Sequence, residues 1–265
     1  MQNSHCNILI KWYNVIKIGC GRMKYRKILT SLIVIVSIFF MTGCTKNENE
    51  LVLVTEAGFA PYEYYEDGEI VGVDIDIAKE IAKELGKELV IKDVSFDFVI
   101  NEVKSGKADF AAAGISITPE RAEEVDFTME YTTSNQVVVV KKDSSIKNFD
   151  DIKNKKIAVQ LGTVADLYVE ENYKNATVVS HKKYLSAVED VKTGKADCII
   201  MDELPAKAIV AENDNLKILD GVLFQDKYGM IVKKGNDELK DQINKVLERM
   251  VNDGTIDDLV LKHSK

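Results

Sequence analysis

The apolar residues of this chain fall into short runs, bounded by Gly, Pro, Asp and Asn, that alternate with stretches of helical period. Residues 51–55, Leu-Val-Leu-Val-Thr, read as a buried strand running into a Gly- and Pro-punctuated loop at 56–62. Asp67-Gly68 marks the turn of a small hairpin within 64–70. Ile77, Ile81 and Leu85 form one apolar stripe on a helix over 75–85, with Asp74 or Asp76 as its cap and Gly86 at its end. Residues 89–94 predict a second strand. Residues 96–106 predict a helix that carries Val99, Ile100 and Val103, and 108–114 a third strand. In the segment 114–121, Gly-Ile-Ser-Ile-Thr-Pro-Glu-Arg, Thr118 is placed as an N-cap, Pro119 in the first helical turn and Glu120 where the helix dipole favours an acid. A β-branched strand follows at 136–140.

The second half repeats the rhythm. A short helix or turn is predicted at 146–151, strands at 157–160 and 178–179, and helices through 167–170 and over 184–192. A strand at 196–201 ends at Asp202-Glu203 and leads into a helix with Pro205 in its first turn. Strands at 216–219 and 228–232, an amphipathic helix at 237–250 and a last helix after Gly254 complete the chain. Residues 103–109, Val-Lys-Ser-Gly-Lys-Ala-Asp, return at 191–197 as Val-Lys-Thr-Gly-Lys-Ala-Asp, six of seven positions matching at an offset of 88. Each copy closes a helix and feeds an apolar strand, which favours two similar α/β lobes. Strands alternating with helices imply mainly parallel sheets.

The first residues are of another kind. A basic segment at 23–27 precedes an apolar run of 14 residues, 28–41, and then Thr42-Gly43-Cys44. That is the pattern of an export signal, and the run is short for a membrane span, which needs about 20 residues. Residues 1–43 are therefore expected to be a leader starting at Met23, and 44–50 a polar tether. Six of the 35 Lys and Arg and none of the 43 acids lie in 1–43, so the remainder carries 29 basic against 43 acidic residues, a net of −14 with neutral His. This balance argues against nucleic acid as a partner. Of four Cys, only Cys198 lies beyond residue 44, inside an apolar run, so a buried thiol is expected and no disulfide or Cys-based metal site.

In open α/β sheets ligands bind beyond the carboxyl ends of the strands. Four loops qualify: 56–59 and 114–121 in one lobe, 160–164 and 202–203 in the other. Facing each other, they would line a cleft between lobes. Arg121 and neighbouring N–H groups offer positive charge, Asp202 a carboxylate, and Phe59 and Phe96 aromatic walls. Cation, anion and apolar wall match the carboxylate, ammonium and side chain of an α-amino acid, since buried ionic groups need counter-charges. Each residue alone has a plainer role: Arg121 paired with Glu124 or Asp126 on the surface, Asp202 as a helix cap, and the Phe rings in the core.

These segments together resemble the amino-acid-type solute-binding proteins (family 3) of bacterial ABC uptake transporters. The resemblance runs from about residue 51 to 261. It rests on Gly72-Val73-Asp74-Ile75-Asp76-Ile77-Ala78, the 114–121 segment, Val125-Asp126-Phe127-Thr128, Val159-Gln160-Leu161-Gly162-Thr163, residues 196–202 and Asp253-Gly254-Thr255. It implies the two-lobed, type II periplasmic-binding-protein-like fold, with lobe 1 over 51–132 and 229–265, lobe 2 over 136–225, and crossovers near 131–136 and 226–230. It implies a monomer without a cofactor that hands an amino acid to a membrane permease. By position, Arg121 would hold the ligand carboxylate with Ser116 and the backbone at Thr163 and Val164. Asp202 and the Gly114 carbonyl would take the ammonium, Phe59 and Phe96 would flank the side chain, and Glu56 and Gln160 would read its tip. Glu56 favours a cationic or amide-bearing tip. Val164, where Thr or Gly is common, loses a hydroxyl contact; Phe96 replaces a frequent Trp, and the usual Trp-Phe near the C-terminus is absent. Met41-Thr42-Gly43-Cys44 resembles a lipobox with Met in place of the usual Leu, which implies lipidation of Cys44 and anchoring on the outer face of the cytoplasmic membrane. The rival readings are a dehydratase of this fold acting on a prephenate-like acid, with Glu56 as proton donor, and a ligand-sensing lipoprotein.

Overall fold

The computed structural model describes residues 47–264; the expected leader and residues 44–46 of the tether, Cys44 among them, lie outside the described residues. The first half contains β1 (Glu50–Thr55), the hairpin β2 (Tyr64–Glu66) and β3 (Glu69–Val71), α1 (Val73–Glu84) and β4 (Glu88–Asp93). It continues with α2 (Phe96–Lys104), β5 (Phe110–Ala111), α3 (Pro119–Glu124) and the long β6 (Val125–Lys141). A 3-10 turn (Phe149–Ile152) leads to β7 (Lys156–Gln160), α4 (Val164–Asn172), β8 (Thr177–His181), α5 (Tyr184–Thr193), β9 (Cys198–Asp202) and α6 (Glu203–Ala211). Then come β10 (Leu216–Ile218), β11 (Phe224–Lys233), α7 (Asp237–Asn252) and α8 (Thr255–His263).

Two parallel triplets are built alike: β1 pairs with β4 and β5, and β7 pairs with β8 and β9. Antiparallel β6 and β11 join them, giving the order β4-β1-β5-β11-β6-β9-β7-β8 with β10 also on β6. The apolar run of β1 is buried on both faces, as parallel strands require. Val52 and Val54 pack with Val99 and Val103 of α2, whereas Leu51 and Leu53 pack with Ile77 and Ile81 of α1 and with α7.

The repeated heptapeptide does the same work twice. Asp109 N–H donates to the Val52 carbonyl at 2.8 Å, and the Val52 N–H donates to the Asp109 carboxylate at 2.8 Å. Asp197 makes the same pair of 2.8 Å bonds with Lys156. In each copy the acid starts the pairing of adjacent parallel strands, and the glycine before it, Gly106 or Gly194, ends the helix with positive φ.

Three expectations need correction. The first helix starts at Val73, and neither Asp74 nor Asp76 caps it. The Pro61 and Tyr62 carbonyls take the N–H groups of Val73 and Asp74 at 3.1 and 3.0 Å, so no side-chain cap is needed. Asp74 turns inward instead, accepting from Tyr131 OH at 2.7 Å and Gly114 N–H at 3.1 Å, while Asp76 accepts from Lys262 and meets His263 on α8. The strand expected over 108–114 is only Phe110–Ala111, because the chain leaves the sheet toward Gly114, whose φ is +53°. The strand expected at 136–140 runs from 125 to 141. Its polar stretch Thr132-Thr133-Ser134-Asn135 carries no apolar signal and is held as a strand by β11, with Asp226 opposite Ser134 and Tyr228 opposite Thr132.

Gly72 allows the hairpin to close on α1. Its φ is +134°, and a Cβ there would lie 2.1 Å from the Tyr62 carbonyl oxygen, a backbone atom that cannot step aside. Gly72→Ala is expected to cost about 3 kcal/mol or more, from strain plus overlap. For a domain of this size that lowers the melting temperature by roughly 6–12 °C. Thermal unfolding followed by circular dichroism checks this, and an unchanged midpoint would refute it.

Candidate functional site

Every residue assigned to the site from the sequence lines a single cavity. Each arrives from the carboxyl end of a strand or the start of the next helix. Glu56 and Phe59 follow β1, Gly114 and Ser116 follow β5, and Arg121 is on α3. Gln160 ends β7, Thr163 and Val164 open α4, Asp202 ends β9, and Phe96 opens α2. Gly114 must be glycine: a Cβ would lie 2.5 Å from the Phe59 ring.

Arg121 is 7% exposed. Its guanidinium donates to the Ser116 carbonyl at 2.8 Å and to the Gly162 carbonyl at 3.0 Å, with the Phe96 ring centroid 5.5 Å away. The surface pairing does not occur: Glu124 is bound to Lys104 at 2.6 Å and Asp126 to Lys234 at 3.1 Å. Among the described residues Arg121 has no carboxylate in ion-pair contact. Burial lowers its pKa, and the more distant charges of Asp226 and Asp202 partly offset that.

Asp202 stands at the N-cap position of α6 but makes no capping bond with its side chain. Its Oδ1 accepts from Gln136 at 2.6 Å, from Ser134 at 2.7 Å and from Tyr228 OH, whereas Oδ2 has only Tyr184 OH at 3.4 Å. Burial raises its pKa and these donors lower it. Glu56 is 2% exposed; its Oε2 accepts from Gln160 at 3.3 Å, and its Oε1 lies 3.7 Å from Lys183 Nζ, too far for a hydrogen bond. Burial raises the Glu56 pKa, against the lowering effect of Gln160 and Lys183.

Sequence reasoning missed Glu63, Tyr184 and Asp226. Glu63 is fully buried, and neither carboxyl oxygen accepts a hydrogen bond. Burial, reinforced by the charge of Asp74, raises its pKa well above the ordinary carboxylate value. Tyr184 stacks on Phe59 with centroids 5.3 Å apart and planes at 19°, so the wall facing Phe59 is Tyr184, while Phe96 covers Arg121. Asp226 accepts from the Ser116 hydroxyl. Glu63 and Tyr184 bordered a hairpin and a helix start and read as local structure. Asp226 was hidden in a segment read only as a crossover.

The site thus gathers three carboxyl groups, of Glu56, Glu63 and Asp202, around one buried cation, with the half-buried Asp226 beside Ser116. Burial, followed by the charge of Asp202, raises the Asp226 pKa. A folded-state pKa above the unfolded value contributes stability that is full below the ordinary 3.8 and is lost as pH rises through the folded value. Asp226→Asn removes this dependence. Its stability relative to the parent protein is expected to rise from about pH 4, where the unfolded carboxyl titrates, to about pH 7, where the folded one does. Parallel denaturant titrations test this; a pH-independent difference would contradict the buried placement of the carboxyl.

The family of bacterial extracellular solute-binding proteins, family 3, matches residues 51–265. The arginine-binding extracellular protein ArtP of Bacillus subtilis is 30% identical over 228 residues, 83% of this chain and 88% of ArtP. Among solved structures, the amino acid ABC transporter substrate-binding protein AbpA of Streptococcus pneumoniae, bound to L-arginine, superposes with a TM-score of 0.79 at 35% identity, covering 82% of this chain and 95% of that one. An ancestral arginine-binding protein bound to glutamine superposes with a TM-score of 0.77 at 38% identity, covering 82% and 99%.

Proposed function

The chain belongs to the bacterial extracellular solute-binding proteins of family 3, and from that premise we propose that it captures a basic amino acid, arginine or a close relative, and delivers it to an ABC transporter permease. It is an exported binding protein of a transport system, not an enzyme. The observation that carries the basic side chain is the excess of acid: the buried carboxyls of Glu56 and Asp202 line the cavity against a single buried cation, Arg121. An amino acid with a cationic tip brings two positive groups and one negative, which moves that imbalance toward neutrality.

In this reading Arg121 and the N–H groups of Thr163 and Val164 hold the carboxylate. Oδ2 of Asp202, with the Gly114 carbonyl, takes the ammonium. The side chain runs along Phe59, and its tip meets Glu56 and Gln160. Ser116 contributes by fixing Asp226 and through the carbonyl that orients Arg121. Residues 51–132 with 229–265 form one lobe and 136–225 the other, and the ligand bridges them. Cys44, at the lipobox-like Met41-Thr42-Gly43-Cys44, carries the lipid that keeps the protein on the outer face of the cytoplasmic membrane as a monomer. The dehydratase reading finds no support among the relatives, whose names describe binding proteins.

A thermal-shift screen against the common amino acids, ornithine and citrulline tests the reading. Arginine, lysine or ornithine is expected to give the largest rise, about 2.7 kcal/mol of added stability at a hundred times Kd. A larger rise with an acidic or aliphatic amino acid would overturn it. Arg121→Ala is expected to weaken binding by roughly a hundredfold or more, as loss of a buried charge partner does. Normal titration calorimetry with that variant would remove the carboxylate assignment.

A further inference from the structure

Glu56 already has a cation beside it. Lys183 follows β8 in the second half of the molecule and reaches across the cleft to place Nζ 3.7 Å from Glu56 Oε1. Its segment is braced from both sides. The Lys182 carbonyl accepts from Gln160 Nε2 at 3.0 Å, the His181 carbonyl accepts from Leu161 N–H at 2.8 Å, and Lys182 Nζ lies 5.7 Å from the Phe98 ring centroid. Lys183 itself is the N-cap residue of α5 with no side-chain capping bond, and its side chain is 50% exposed against 2% for Glu56. The other groups around Glu56 are Gln160, which donates to Oε2, and Asp93, whose carboxylate is engaged by Ala57 N–H at 2.9 Å and Tyr65 OH at 3.0 Å. Lys183 is thus the cation in ion-pair contact with Glu56 among the described residues.

We propose that Lys183 is a specificity-determining residue, a tethered counter-cation for Glu56 that limits the preference for a cationic side chain over its neutral isostere. The inference rests on the reading of Glu56 as partner of the ligand's tip. A guanidinium arriving at Oε1 meets the ammonium already there and must displace it toward solvent, where its half-exposed stem can follow. A ureido group of the same shape leaves the Glu56–Lys183 pair in place and takes only hydrogen bonds. Lys183 therefore penalises the cationic ligand and spares the neutral one.

Titration calorimetry on the purified full chain, with L-arginine and L-citrulline, separates the terms. In Lys183→Gln the ratio of the citrulline Kd to the arginine Kd is expected to rise roughly fivefold, chiefly through tighter arginine binding, the size of a partly exposed pair. Lys183→Met is expected to behave the same way, and Lys183→Arg to keep the parent ratio. An unchanged or lowered ratio in both neutral variants overturns the inference while leaving the basic-amino-acid reading intact. An equal rise in Lys183→Arg also overturns it, since the effect would then follow shape and not charge. Failure of the parent protein to bind either ligand removes the functional reading, and the inference with it.

Discussion

The structure is arranged around opposite charges that are buried without touching each other. Arg121 and Asp202 are each nearly excluded from water, yet Arg121 donates to backbone carbonyls and Asp202 accepts from hydroxyls and an amide. Burying an ion costs several kcal/mol unless it is compensated, and neutral partners recover only part of that. The protein holds both ions in place with dipoles, and full compensation is left to a molecule that carries the complementary charges at the right separation. That constraint explains why the surface alternatives for Arg121 are occupied by other partners, with Lys104 on Glu124 and Lys234 on Asp126.

Holding an uncompensated carboxylate requires donors that cannot relax, and the connecting strands supply them. Ser134 and Gln136 are on β6, Tyr228 is on β11, and all three donate to Oδ1 of Asp202. Asp226, opposite Ser134 in the same ladder, fixes the Ser116 hydroxyl. The strands that pass between the parallel triplets therefore also carry the donors that fix Asp202. A movement of one triplet relative to the other would be transmitted through the strands that position this carboxylate, which couples the electrostatics of the site to its geometry.

What was legible in the sequence was what depends on local rules. Strand ends, helix starts and a heptapeptide repeated at an offset of 88 were enough to bring Glu56, Gly114, Arg121, Gln160 and Asp202 to one place. What escaped depends on partners distant in sequence. Asp74 looked like a cap, because Asp is a preferred N-cap residue ahead of an apolar helical stripe; the helix starts one residue earlier, with the N–H groups of Val73 and Asp74 taken by the Pro61 and Tyr62 carbonyls. The polar stretch 132–135 has no reason to be a strand until β11 lies beside it. Tyr184 opens a helix by its local pattern and becomes a cleft wall only because Phe59, 125 positions earlier, stacks on it. Glu63 is invisible by the same logic, since an exposed hairpin and a buried acid share one sequence signature.

The halves are brought together through Arg121 to the Gly162 carbonyl, Gln160 to Glu56, and Phe59 against Tyr184. A ligand can favour closure only through contacts it makes better in the closed form than in the open one. Here those contacts are exchanges within a dry site. A carboxylate would replace neutral carbonyl oxygens as the acceptor of Arg121, and an ammonium would replace a single long hydroxyl contact at Oδ2 of Asp202. A bidentate guanidinium–carboxylate pair adds geometric fit as well as energy to such a bond. The contacts that Arg121 and Asp202 make with neutral partners are therefore weaker versions of those a ligand of opposite charge would make.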